Sequence, residues 1–368
     1  MQVLVSRIDT IIAQYGLKPA TRRRFPLLTL SCIAEGYTHV LRRMFGISAH
    51  AVGGLGSRDE WHTMLNEQAI GDGARVLIQK YGADLDGEVF IPVRAALVAW
   101  TKEWKVIEPL ITQDPQNFFQ RIVRLYPTYL ACLGLYNCFW RYIGDRSDAE
   151  GLSKKEIDAL GAERDIMAKI YPEVESQIAS AVKNFGDAEG FDGDLLRYAT
   201  YRECVDGKAD THDHEWLSEL ARRRDRFFYL YAEEGAREYL ITHRKMIAEI
   251  ERRYYTIDTT VKEVQGNIAH AGFVQGTVFN LAEWKGAKPE HLAPGTILVA
   301  GMTHPSDSTL IREAAAIVTD EGGILCHASI LAREFKIPTV IGTKIATRVF
   351  HDGDRVEFDA VKGIVRKI

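Results

Sequence analysis

The stretch Thr319-Asp320-Glu321-Gly322-Gly323-Ile324-Leu325-Cys326-His327-Ala328-Ser329-Ile330-Leu331-Ala332-Arg333-Glu334-Phe335-Lys336-Ile337-Pro338-Thr339-Val340-Ile341-Gly342 decides how this chain is read. An apolar β-type run, Ala316 to Thr319, precedes an acidic turn. The pair Gly322-Gly323 opens backbone conformations closed to residues with a Cβ. A helix is predicted from about Cys326 to Phe335, stopping before Pro338, because the residue before a proline is pushed out of the helical region. A second β-type run, Thr339 to Ile341, follows. His327 therefore falls in the first turn of a helix, where free backbone N–H groups and the helix dipole favour an anion.

A histidine in that place can bind a phosphate or attack one. Attack needs a neutral ring nitrogen, and an unperturbed histidine, with a pKa of about 6.5, is mostly neutral near pH 7. A helix N-terminus disfavours the imidazolium and pushes the same way. A lone histidine there is more often a cap or a core residue. The residues around it change that balance.

The string resembles the phosphohistidine segment of the mobile domain of the phosphoenolpyruvate (PEP)-utilising enzymes, as in pyruvate phosphate dikinase, phosphoenolpyruvate synthase and rifampin phosphotransferase. The family pattern is roughly T-x-x-G-G-x-x-(S/T/C)-H-(A/G)-(A/S)-(I/V)-x-(A/S)-R-E-x-x-(I/L)-P-x-(V/I)-x-G. Thr319, Gly322, Gly323, His327, Ala332, Arg333, Glu334, Pro338 and Gly342 occupy its fixed places. The likeness extends upstream through Pro294-Gly295 to Thr303-His304-Pro305 and through Gly266, Gly272 and Gly276. Downstream it takes in Asp352-Gly353-Asp354 and Asp359 to Gly363. It covers about 262–368.

The resemblance implies a β/β/α swivelling domain in which His327 is phosphorylated and carried between two sites. It places Arg333 at a motif arginine. It makes Gly322, Gly323, Cys326, Ala328 and Ser329 the phosphate-supporting loop and helix start. Cys326 stands where many members have serine or threonine. Leu325 stands where plant dikinases carry a regulatory threonine, so that control is not expected.

The whole chain is of ordinary globular composition: 46% apolar, 26% charged, 368 residues, with 46 basic against 50 acidic side chains and a formal charge of −4. Disorder and fibrous repeats are excluded, and the basic excess of a nucleic-acid binder is missing. The five cysteines (Cys32, Cys132, Cys138, Cys204, Cys326) are scattered and form no CxxC, which fits a reducing cytoplasm better than a disulfide framework. The opening residues, with Asp9, do not read as a secretory signal. The longest nearly uncharged apolar stretch, Tyr126 to Trp140, is too short to span a bilayer.

The fold class expected is α+β with two domains: a mostly helical region over 1–258 and the mobile domain over 262–368. Helices are predicted near 3–15, 26–45, 58–81, 91–111 and 116–143, the last kinked or broken at Pro127. A capping box at Ser153–Glu156 starts another, running to about Phe185. Apolar residues at helical intervals from Trp216 to Ile250 suggest one more over 213–255. Gly53-Gly54-Leu55-Gly56 reads as a loop. His212-Asp213-His214 could offer two metal ligands, but a helix start capped by Asp213 explains it better. No metal site and no cofactor bound by this chain can be read.

Region 1–258 resembles, more weakly, the helical segment preceding the mobile domain in synthase-like and rifampin-phosphotransferase-like members, chiefly through Leu196 to Arg202 and the stretch Arg222 to Arg253. There it can hold the acceptor. Arg22-Arg23-Arg24, Arg197 and Arg202 suit an anionic ligand, and Trp100, Trp104, Trp140 and Tyr142 a planar one; for any single one, a plain core or a solvated surface is the better explanation. Neither an ATP-grasp domain nor a PEP-binding barrel is recognisable, and no GxxxxGK(S/T) loop occurs. The function expected is therefore a phosphotransferase component, with Mg-ATP held by an ATP-grasp protein in trans and a small-molecule acceptor at the helical region. The rival is a non-catalytic phosphocarrier or regulatory module phosphorylated at His327.

Overall fold

The computed structural model describes residues 2–23, 25–57, 61–144, 154–208, 213–234, 237–256, 258–284, 289–303, 305–322 and 326–368. The chain divides into two compact units. The first is formed by Met1–Tyr142 and Asp148–Tyr255, and the second holds Thr256–Ile368. The architecture is α+β, with a mainly helical first unit and a mixed-sheet second unit. No helix among the described residues is long and apolar enough to cross a membrane.

The first unit departs from an all-helical reading in one respect. It contains a five-stranded antiparallel sheet built from β1 (Lys18–Arg23), β2 (Ala51–Gly56), β3 (Trp61–Leu65), β4 (Phe227–Ala232) and β5 (Arg237–Ile241), in the order β1-β3-β2-β4-β5. Three sequence expectations are corrected by it. The run Gly53-Gly54-Leu55-Gly56 is the second part of β2 rather than a loop. Its glycines are there for space: a Cβ on Gly54 would lie 2.8 Å from the Trp61 ring, and one on Gly56 2.3 Å from the Phe227 ring. The stretch 213–255 is not one helix. It is a helix (His214–Asp225), the β4–β5 hairpin, a second helix (Arg244–Ile250) and a π-helical turn (Glu251–Tyr255). The 58–81 prediction holds only from Glu67, where Asn66 caps the helix by accepting from the Ala69 N–H, and Trp61–Leu65 is a strand.

The other predicted helices form: Gln2–Tyr15, Leu27–Glu35 with a π-helical turn Gly36–Val40 and Leu41–Phe45, and Ile91–Ile107. The helix Pro115–Gly144 runs through Pro127 instead of breaking there, and Lys154–Glu189 follows. Ser153 of the predicted capping box, His212, His304 and Arg24 lie outside the described residues. Asp213 does cap the next helix, accepting from the Glu215 and Trp216 N–H groups at 2.9 and 3.3 Å. One core gathers Trp100, Phe118, Phe119, Tyr126 and Phe185 between helices; another packs Ile8, Met64, Phe228, Leu230 and Ile247 on one sheet face.

The second unit is a single eight-stranded sheet: β6 (Glu263–Gln265), β7 (Asn267–His270), β8 (Phe273–Asn280), β9 (Thr296–Ala300), β10 (Ala316–Thr319), β11 (Thr339–Ile341), β12 (Arg355–Asp359) and β13 (Ile364–Lys367). Their spatial order is β6-β13-β12-β8-β9-β10-β11-β7. Strands β8 to β11 are parallel neighbours and the remaining pairs are antiparallel. Strands β9, β10 and β11 are buried at every position because both faces are covered. Ile297, Val299 and Val318 enter one core with Phe350 and Phe358; Leu298 and Ile317 enter the other with Ile311. The helices Ser308–Glu313 and His327–Phe335 make the crossovers β9–β10 and β10–β11.

Gly276 shows how closely β8 and its neighbour approach. A Cβ there would sit 2.2 Å from the Gly295 carbonyl oxygen and 3.0 Å from Ile297. Gly276→Ala is expected to destabilise the second unit by about 1–3 kcal/mol, since backbone cannot yield as a side-chain tip can. Urea unfolding monitored by circular dichroism measures it, and an unchanged midpoint refutes it.

Candidate functional site

Parallel α/β sheets bind ligands beyond the carboxyl ends of their strands. At that edge of the second unit three loops lie side by side: Gly301–Thr303 after β9, Asp320–Gly322 after β10 and Gly342–Lys344 after β11. Backbone hydrogen bonds tie them together. The Asp320 and Glu321 N–H groups donate to the Ala300 and Gly301 carbonyls at 3.0 and 2.9 Å. The Thr343 and Lys344 N–H groups donate to the Thr319 and Asp320 carbonyls at 3.0 and 2.9 Å.

The Asp320 carboxylate is the centre of this clasp. It accepts the Thr347 N–H at 3.0 Å, the Thr347 hydroxyl and, at 3.4 Å, the Thr343 hydroxyl. Burial pushes its pKa above the usual carboxylate value, against the pull of the threonine donors. Neither Asp320 nor the two threonines emerged from the sequence as site residues. An acid directly after a buried strand, facing a Thr-rich turn, is the only signal they leave.

The helix predicted after this loop begins at His327, with Cys326 as its N-cap in extended conformation. The side chain of His327 and residues Gly323, Ile324 and Leu325 lie outside the described set. The Cys326 thiol is 3.3 Å from the Ser329 hydroxyl, three residues on, across the first turn. Ala328 and Ser329 are buried, anchoring the turn against the sheet. Gly322 takes φ +126°, and a Cβ on it would be 2.8 Å from the Cys326 sulfur. On its other side a Cβ on Gly342 would be 3.2 Å from the Gly322 carbonyl oxygen. Gly322 thus fills the gap between the β11 loop and the helix cap.

Gly322, Cys326, the His327 backbone, Ala328 and Ser329 are assembled at one place. Arg333 is not brought there. It lies exposed in the last turn of the helix, about 9 Å along the axis and about 120° around from His327 by ideal helix geometry. In the first unit Trp100 and Tyr142 are core residues. Arg202 stacks on Tyr231, 5.0 Å from the ring centroid, and its guanidinium lies 3.3 Å from the Tyr231 hydroxyl, which also meets His39 at 2.6 Å. Among the described residues no group of three or more His, Cys, Asp or Glu could hold a metal ion.

Comparison with known proteins agrees with this geometry. Residues 292–363 match the family described as PEP-utilising enzyme, mobile domain. A probable phosphoenolpyruvate synthase of Archaeoglobus fulgidus is 38% identical over 141 residues, covering 37% of this chain and 18% of the synthase. An uncharacterized phosphotransferase, YvkC, of Bacillus subtilis is 36% identical over 152 residues, 40% of this chain and 18% of that protein. A phosphoenolpyruvate synthase of Deinococcus radiodurans is 51% identical over 69 residues, 19% of this chain and 9% of the synthase. These matches span less than a fifth of the length of each relative. The first two are longer than the second unit and so run into the region before it. The β9–β11 edge, the loop clasped by Asp320 and the helix opening at His327 lie inside the matched segment, and it is in its second unit that this chain resembles the mobile domain of the PEP-utilising enzymes.

Proposed function

We propose that this chain is a phosphotransferase component in which His327 is transiently phosphorylated. The observation that carries the reading is the position of His327 at the first turn of a nine-residue helix, beyond the carboxyl end of β10. The N–H groups of that turn have no partners within the helix and suit the oxygens of a phosphoryl group. The names of the relatives, phosphoenolpyruvate synthase and phosphotransferase, support the same chemistry.

The donor in this proposal is Mg-ATP on a separate ATP-grasp subunit, and the acceptor is a small molecule held by the first unit. A ring nitrogen of His327 forms a bond to phosphorus as the donor's P–O bond breaks, and the reverse exchange delivers the group to the acceptor. Catalysis at each station is positioning plus charge neutralisation. Gly322, Gly323, Cys326, Ala328 and Ser329 shape the loop and helix start, and Arg333 serves the helix from its far end. The protein would work in the cytoplasm.

The second reading is a phosphocarrier or regulatory module, phosphorylated at His327 without its own acceptor site.

Potassium phosphoramidate, a small-molecule donor that dispenses with the partner, tests the central claim. The full chain is expected to gain one acid-labile phosphoryl group by intact-mass analysis, and His327→Ala none. A wild-type chain that stays unmodified, or a label that survives in His327→Ala, overturns the assignment.

A further inference from the structure

Three helical segments of the first unit meet at Tyr201, and each brings an arginine. Hydrogen bonds fix the meeting. The Tyr201 N–H donates to the Ser31 hydroxyl at 2.7 Å, which holds the short helix Tyr201–Val205 against Leu27–Glu35. The Gln120 amide donates to the Cys204 carbonyl at 3.1 Å, which holds the same short helix against Pro115–Gly144. Arg202 follows Tyr201 directly, and Arg124 stands one turn after Gln120. On the first of these helices Glu35, His39 and Arg43 follow Ser31 at four-residue steps, the spacing of neighbours along one helix face. His39 sits in the π-helical turn Gly36–Val40, a distortion frequent at functional sites.

The cluster is partly built in place. The Arg202 guanidinium lies over the buried Tyr231 ring and donates to its hydroxyl at 3.3 Å. That hydroxyl meets His39 Nε2 at 2.6 Å, and the Glu35 carboxylate is 4.0 Å from the same nitrogen. Burial and the charge on Glu35 raise the Tyr201 pKa, while Arg124 and Arg43 pull it down, so those three charges stand near the Tyr201 hydroxyl. The acids round about are committed: Glu203 to Arg223, Glu238 to the Tyr229 hydroxyl and Glu233 to Arg42. Arg43 and Arg124, by contrast, are exposed and form no ion pair among the described residues. Positive charge is thus concentrated at one place on a chain whose formal charge is −4.

We propose that Arg43, Arg124 and Arg202, with His39 and Tyr201, form a binding site for the phosphate group of a small molecule. A planar carboxylate is matched by the fork of a single arginine. Cations that arrive from three separate segments suit a tetrahedral dianion, whose oxygens point in several directions. The site gives the small-molecule acceptor of the reading above a chemical class, one that carries a phosphate before or after transfer, and to that extent it rests on that reading. The binding itself does not.

Equilibrium dialysis of the full chain against radiolabelled inorganic phosphate, at constant ionic strength, tests it. Wild type is expected to bind phosphate saturably. Glycerol phosphate and sulfate should displace it, and acetate at the same ionic strength should not. Arg43→Gln and Arg124→Gln should each weaken binding about tenfold, the scale of one hydrogen bond to a charged group. Both side chains are exposed, so the variants should keep the wild-type circular dichroism. Arg75→Gln, which removes an exposed arginine paired with Asp72, should bind as wild type does. Absence of saturable binding, displacement by acetate as effective as by sulfate, or binding that survives both Arg43→Gln and Arg124→Gln overturns the site. Labelling by phosphoramidate separates this outcome from the earlier proposal. A wild-type chain that is labelled at His327 but binds no phosphate loses this site and keeps the phosphohistidine reading. One that binds phosphate through Arg43 and Arg124 but takes no label keeps the site, and the phosphohistidine reading falls.

Discussion

Glu203→Ala is expected to lower the unfolding free energy of the first unit by about 3–5 kcal/mol, the usual cost of leaving one member of a buried ion pair alone. Arg223 is 6% exposed. Its two terminal nitrogens grip Glu203 at 2.6 and 2.9 Å, and one also reaches the Tyr198 carbonyl at 3.3 Å. Glu203 accepts the Thr200 N–H at 2.9 Å and the Trp216 indole N–H at 3.1 Å as well, so the same carboxylate closes a capping box. Alanine leaves the guanidinium only the Tyr198 carbonyl and the Glu219 carboxylate, which is 3.5 Å from the Arg223 Nε. Burial pushes the Glu203 pKa up, but the Arg223 pair and the two N–H donors outweigh it and hold the carboxyl below its usual value of 4.5. Its stabilising contribution is therefore complete above about pH 4.5 and is lost as pH falls through the lower folded-state value. Urea titrations at pH 7 and below pH 4 should show the Glu203→Ala deficit shrinking in acid. The double variant Glu203→Leu with Arg223→Met should recover most of the loss, since apolar pairs of similar volume replace buried ion pairs at little cost. A deficit under 1 kcal/mol at pH 7 means the pair is solvated.

None of that network was visible in the sequence, and the reason is physical. Thr200 and Glu203 form a capping-box pair, but their bond to Arg223 spans a turn and a second helix, and no local period encodes it. The middle of the second unit was legible, but its edge strands Glu263–Gln265 and Asn267–His270 were not. Its strands β9, β10 and β11 are continuous apolar runs because both faces are buried, and turn residues mark each end. The helix from His327 to Phe335 lies between a glycine pair and Pro338, and both limits are local signals. The N-terminal sheet failed for the opposite reason. In Phe227–Ala232 every position is buried, so no alternation exists to betray a strand. Its aromatic residues, read together with Leu240, Ile247 and Ile250, imitate a helical period. Gly53, Gly54 and Gly56 carry no side chains to give a period at all, and their reason for being glycine lies on other strands: the Tyr229 carbonyl beside Gly53, the Trp61 ring beside Gly54 and the Phe227 ring beside Gly56.

At the candidate site the division is similar. Gly322, Cys326, His327, Ala328 and Ser329 fall within eight consecutive residues and were legible as a string. Asp320, Thr343 and Thr347 meet across two loops, and only the pairing of β10 with β11 brings them together. Arg333 belongs to the string but not to the cluster, because a helix carries successive residues away from its first turn.

Gly322→Ala should slow phosphorylation of His327 by phosphoramidate about a hundredfold while leaving the unit folded, the scale expected when a reacting group is moved by about an ångström. Two separate strains act on the alanine. Its φ of +126° is closed to a residue with a Cβ, and its methyl group would stand 2.8 Å from the Cys326 sulfur and 3.5 Å from the Cys326 Cβ. The β10 side of the loop cannot yield, because Asp320 is tied through Thr347 and Thr343 to the neighbouring turn. The displacement is therefore passed toward Cys326, the cap from which the His327 helix starts. Cys326→Ala in the Gly322→Ala background separates the two strains. It removes the sulfur collision but leaves the backbone torsion, so the double variant should regain part of the rate and stay well below Cys326→Ala alone. Full recovery would assign the whole effect to the sulfur contact. A wild-type rate in Gly322→Ala would show that the geometry of this loop does not set the reactivity of His327.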